Sequence, residues 1–79
     1  MTTRRHRDIC NIIEYVLSRD ERWLTTAEIT KRVNRLSPLT GNIIIAGPRE
    51  VRLKLHTLHR DGRVRQTRDG RGYSWKWRP

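Results

Sequence analysis

The chain has 79 residues, enough for one small domain in which function is carried by a single compact unit and its surface. Hydrophobic residues make up 34% and charged residues 33%, with a formal net charge of +10, so a partner rich in negative charge is the first expectation. A single cysteine, Cys10, excludes an intramolecular disulfide and a Cys-based zinc site, and no apolar run approaches the roughly 18–20 residues that span a bilayer; with no apolar stretch of a signal peptide behind the basic N-terminus, a soluble cytoplasmic protein is expected.

Residues 1–7 are expected to form a flexible basic arm, whose Arg4, Arg5 and Arg7 can reach along a nucleic acid, and the domain proper to run over 8–79. From about residue 8 to 18, Ile9, Ile12, Ile13, Val16 and Leu17 recur at helical spacing and predict the first helix. Arg22-Trp23-Leu24-Thr25 is too short for a helix and predicts a brief strand or extended link. Thr25-Thr26-Ala27-Glu28 has the form of a capping box, and the helix it starts would bury Ala27, Ile29, Val33 and Leu36. Residues 37–47 are punctuated by Pro38, Gly41 and Gly47. Ile43, Ile44 and Ile45 between them resist exposure to water, either as a patch on the small core or as a dimer contact or edge strand.

Pro48 suits a first helical position, where its missing N–H would be unpaired anyway. Val51, Leu55 and Leu58 then repeat at i, i+4 and i+7, one stripe that must face a core. Arg49, Arg52, Leu53, His56 and Arg60 fall roughly opposite, given about 100° per residue. Asp61-Gly62 stops this helix, predicted over 48–61. A hairpin over 63–77 follows, its strands at 63–68 and 73–77, with Asp69-Gly70-Arg71-Gly72 supplying the tight turn. In the first strand Val64 and Gln66 alternate with Arg63, Arg65 and Arg68, while Tyr73, Trp75 and Trp77 share one face of the second, so one face is expected to be apolar and the other basic. Residues 49–78 hold ten Lys or Arg against three acids, and residues 1–48 eight against five, which places the basic excess on the helix and hairpin.

Val51, Leu55, Leu58, Gly62 and Val64, spaced as V-x-x-x-L-x-x-L-x-x-x-G-x-V and followed by a Gly-bearing hairpin, resemble the winged helix-turn-helix DNA-binding domains. The resemblance implies an α+β fold, a small winged helix-turn-helix of order α1-β1-α2-α3-β2-β3. The segment 37–47 departs from it, since the usual turn between the second and third helices has three or four residues. The resemblance also implies sequence-specific binding of double-stranded DNA, as a transcriptional regulator, with helix 48–61 in the major groove and hairpin 63–77 as a wing on the backbone or minor groove.

On that docking, Arg49, Arg52 and His56 are the candidate base readers, because a guanidinium bonds guanine in a bidentate way. Leu53 either packs on a thymine methyl or meets the Ile43–Ile45 segment. Glu50 can accept from cytosine or simply favour the helix dipole. Arg68 and Arg71 flank the wing tip, and Arg60, Arg63, Arg65 and Lys76 are expected on phosphates without choosing sequence. Thr26, at the start of the second helix, can place a hydroxyl and backbone N–H groups on a phosphate.

Trp75 and Trp77, interleaved with cations, suit either single-strand stacking or the core, and a chain with no Phe needs its rings for the core. His6 with Cys10 and His56 with His59 have the spacing of metal half-sites, but two ligands are too few. No metal, cofactor or small-molecule ligand is expected, and nothing around Cys10 resembles a catalytic constellation. Two other classes remain open: a winged-helix protein-interaction module using the Ile43–Ile45 segment, and a non-specific architectural DNA or RNA binder. A monomer and a homodimer on paired half-sites are both compatible with the sequence.

Overall fold

The computed structural model describes residues 4–36, 46–69 and 72–78. Three helices and one sheet follow in the order α1 (Arg4–Arg19), β1 (Leu24–Thr25), α2 (Thr26–Leu36), α3 (Pro48–Arg60), β2 (Val64–Asp69) and β3 (Gly72–Trp77). This is the α+β order of a winged helix, as expected. The Ile43–Ile45 segment and the wing-tip Arg71 lie outside the described residues.

The first helix starts earlier than its apolar stripe suggests. Arg4, Arg5 and Arg7 stand on α1 rather than in a flexible arm. Arg4 lies 3.9 Å from Asp8, one turn on, and Arg5 crosses to α3, so contacts within and between helices carry the first turn. Ile9, Cys10, Ile12, Ile13, Val16 and Leu17 form the buried side of α1.

The capping box forms as the sequence requires. Glu28 N–H donates to Thr25 Oγ1 at 3.2 Å, and Thr25 N–H donates back to Glu28 Oε1 at 3.2 Å, which starts α2 directly after the short β1. The buried side of α2 is Ile29, Thr30 and Val33, with Leu36 half-buried against the core. Ala27, expected inside, is exposed. Thr30 is tolerated inside because its hydroxyl donates to Thr26 O at 2.8 Å, one turn back.

Asn34 joins α2 to the approach to α3. Its Nδ2 donates to Ala46 O at 3.0 Å, and Ala46 N–H donates to its Oδ1 at 2.9 Å. The side-chain amide thus pairs with both backbone groups of Ala46, itself 2% exposed, as a strand neighbour would.

Helix α3 begins with Pro48 at N1, after Gly47, and buries Val51, Leu55 and Leu58. It ends at Arg60, with Asp61 as its C-cap rather than its last residue. Gly62 N–H donates to His59 O at 3.0 Å and Arg63 N–H to Leu58 O at 2.9 Å, the paired bonds of a Schellman stop. Gly62 has φ of +78°, a conformation that a side chain would strain, so the Asp-Gly pair is what lets β2 leave α3 here.

The sheet is antiparallel with strand order β1-β3-β2, so residues 24–25 supply the third strand to the wing. Leu24 lies opposite Trp75, which lies opposite Gln66, and Val64 lies opposite Trp77. This row turns to the helices: Leu24 and Trp75 are fully buried and Val64 nearly so. Trp75 is the largest buried side chain, and its Nε1–H donates to Thr26 Oγ1 at 3.0 Å, tying the wing to the start of α2. Two expectations for the hairpin change. Tyr73 is exposed, because it lies past the end of the core towards the wing tip. Arg68 pairs with Tyr73 on the same side of the sheet as Trp75, not with Arg65 on the basic side.

Candidate nucleic-acid interface

The outward side of α3 is set by its buried stripe. With Val51, Leu55 and Leu58 turned inward, Arg49, Arg52, Leu53, His56 and Arg60 are all exposed, and Leu53 is 57% exposed although apolar. Among the described residues, no acid forms an ion pair with Arg49, Arg52 or Arg60.

Beside this surface lies an open cleft of about 890 Å³. The first turn of α2 lines it with Thr26 and Ala27, the first turns of α3 with Pro48, Arg49 and Arg52, and β3 with Gly72 and Tyr73, Thr25 completing the wall. The cap bond takes up Glu28 N–H, and the amides of Thr26 and Ala27 before it stand at the positive end of the helix. Two guanidiniums and a helix N-terminus on one cleft give it an electrostatic preference for anions.

His56 is positioned by the wing. Its ring meets Trp75 edge-on at 5.1 Å between centroids and Tyr73 at 5.5 Å, so it bridges α3 and β3 while remaining exposed. Arg68 lies 5.9 Å from the centre of the Tyr73 ring, which carries a cation along the same side of the wing. Thr26 reaches the cleft, but its hydroxyl oxygen already accepts the Trp75 indole N–H.

Other predicted contacts lie elsewhere. Glu50 faces α1, where Arg5 Nη2 and Nε donate to its two carboxylate oxygens at 2.8 and 3.0 Å. The hydrogen bond from Arg5 holds the Glu50 carboxyl below its ordinary range. Both cytosine reading by Glu50 and free reach by Arg5 are therefore replaced by a clasp between α1 and α3. Arg63 Nη1 donates to Glu14 Oε1 on α1 at 2.8 Å, which takes Arg63 away from the phosphate contacts expected of it. Arg65 and Lys76 lie opposite one another on the sheet face away from Trp75, each 5.9 Å from the Trp23 ring. Arg4 and Arg7 are exposed on α1.

Sequence reasoning missed the acids. Glu14 and Glu50 are 49 and 45 residues from their Arg partners, and nothing local signals pairs at such separation. Asp20 is held well below the usual carboxylate range by hydrogen bonds from Arg22 and then Arg32, which closes the turn after α1 on α2. Burial pushes the Cys10 thiol up, and its Sγ lies 3.6 Å from His6 Nε2. No group of three or more His, Cys, Asp or Glu side chains able to hold a metal occurs among the described residues, and no described helix is long and apolar enough to cross a membrane.

No protein-family model, curated protein or solved structure matches this chain, so the functional reading rests on its own residues.

Proposed function

We propose that the chain binds double-stranded DNA in a sequence-specific way, as a transcriptional regulator acting where the nucleoid is. In this reading α3 enters the major groove, Arg49 and Arg52 bond guanine edges, and Leu53 lies against a thymine methyl. His56 reaches the same groove from the junction of α3 and β3. The wing carries Arg68 onto the adjacent backbone or minor groove, Arg71 adds a second cation to that contact, and Arg60 and the start of α2 at Thr26 hold phosphates. No chemistry is performed on the partner.

The observation that carries this reading is the contrast in ion pairing around α3. The acid of its first turn, Glu50, is neutralised by Arg5 on the α1 side, while Arg49 and Arg52 share the open cleft with the N-terminus of α2. A structural role would match these cations with acids, as it does for Arg5 and Arg63. Exposed Leu53 among them suits an apolar contact within a polar groove and gains nothing from water.

Titration of a preferred duplex and its single-base variants at several salt concentrations tests the division of labour. Arg52→Ala is expected to cost about 1–3 kcal/mol on the preferred duplex and to flatten discrimination at one base pair. Arg68→Ala is expected to weaken all duplexes alike and to shallow the salt slope by about one unit. Equal losses on every sequence from both substitutions would sink the assignment of α3 as the reader.

A further inference from the structure

The face of the sheet turned away from the helices carries an aromatic and cationic group that the proposed duplex interface does not use. Side chains alternate between the faces of a strand, and Leu24, Trp75 and Val64 turn inward. Lys76 and Arg65, paired across β3 and β2, therefore lie on the outer face. Trp23, the residue before β1, comes in beside them: Lys76 Nζ and Arg65 Cζ are each 5.9 Å from its ring centroid. The indole is 40% exposed in a chain that has no Phe and three Trp. Behind it the next row is polar, with Thr25, Ser74 and Thr67 opposite one another.

The partner follows from charge and shape together. Neither Arg65 nor Lys76 forms an ion pair with an acid among the described residues, so the row attracts anions and repels a basic surface. A flat indole adds a stacking platform. A duplex offers phosphates but keeps its base faces stacked on one another, whereas a single strand offers both phosphates and free base faces. We propose that Trp23, Arg65 and Lys76 form a second nucleic-acid surface, which takes a single-stranded segment with one base on the Trp23 indole and adjacent phosphates on the two cations. Of the two stacking candidates on β3, Trp75 is fully buried and bonded to Thr26 and Trp77 is half-buried against the core, so this role falls to Trp23. The surface lies on the other side of the sheet from the junction of His56 with Tyr73 and Trp75, and its existence does not depend on how α3 meets a duplex.

The test titrates the full chain with short oligothymidylate and oligouridylate of equal length, and in parallel with duplex DNA. Trp23→Ala is expected to lower single-strand affinity by about tenfold or more while leaving duplex affinity within about twofold. The double substitution Arg65→Gln and Lys76→Gln is expected to weaken single-strand binding and to shallow its salt dependence by about one to two units. If Trp23→Ala fails to fold, by circular dichroism, the double variant decides alone. Stronger binding of one oligonucleotide assigns the strand as DNA or RNA. Single-strand affinity that is unchanged by both variants, or that is lost instead in Arg52→Ala, overturns the proposal, and so does failure of both oligonucleotides to bind. Failure of the unaltered chain to bind the duplex, with single-strand binding present and weakened by both variants, would count against the proposed function and leave this surface standing.

Discussion

The two sides of α3 use the same residue types for different ends. Towards α1, Glu50 is bonded by Arg5, and just past the helix Arg63 is bonded by Glu14. Away from α1, Arg49 and Arg52 line a cleft with the start of α2 and have no acid partner among the described residues. Net charge alone does not separate these sides, because every one of these Arg side chains contributes equally to +10. The placement of a few acids does, by leaving some cations spent on the fold and others open to a partner.

The largest effect on this contrast comes from the residue that both sides depend on. Trp75→Ala removes the biggest buried side chain and the indole bond to Thr26, and is expected to cost about 3–5 kcal/mol, close to the stability of a domain this small. Denaturant unfolding should show a largely unfolded variant that has lost every binding activity. A variant of near-normal stability would mean that the wing and helices do not share one core.

Asn34→Ala should come next. It leaves the buried N–H and C=O of Ala46 without their partner, at about 1–3 kcal/mol, and loosens the approach to α3. The melting temperature should fall, and the change in duplex affinity should follow from stability alone.

A sharper comparison sets Arg63→Ala against the α3 front. Its pair with Glu14 is exposed, so its loss is expected to cost under about 1 kcal/mol of stability and to leave base preference intact. Arg52→Ala should do the reverse, with an unchanged melt and a flattened preference. If Arg63→Ala altered preference, the assignment of spent and open cations would need to be exchanged.

The smallest effect is one of pH. Asp20 and Glu50 have folded values below those of the unfolded chain, through hydrogen bonds from Arg22 and Arg32 and from Arg5. Their contribution is present above the ordinary carboxylate range of about 4 and is lost as pH falls through and below it. Melting temperature should therefore decline between about pH 5 and pH 3, and Asp20→Asn should flatten part of that decline. An acid melt that Asp20→Asn leaves unaltered would remove the turn after α1 from the account.

Much of this architecture is legible in the sequence because its signals are local. The Thr25–Glu28 box, Pro48 at the head of α3, the stripe of Val51, Leu55 and Leu58, and the Asp61-Gly62 stop each lie within one or two helical turns, and each forms as written. What stays hidden depends on partners far along the chain. The start of α1 at Arg4 involves Glu50, and the exposure of Tyr73 depends on where the core ends rather than on strand parity. Parity itself places Arg68 beside Tyr73, a fact available from counting alone. For the candidate interface, the outward side of α3 follows from periodicity, whereas the removal of Arg63 and the cluster at Trp23 appear only once the strands are in register.

The most direct measurement of the central claim is selection from a randomised duplex pool at roughly physiological salt, with the unaltered chain and with Arg49→Ala plus Arg52→Ala side by side. A defined motif for the unaltered chain that disappears for the double variant, both proteins being equally folded, is the predicted result. Retention of the pool without enrichment, or the same motif from both proteins, would contradict it.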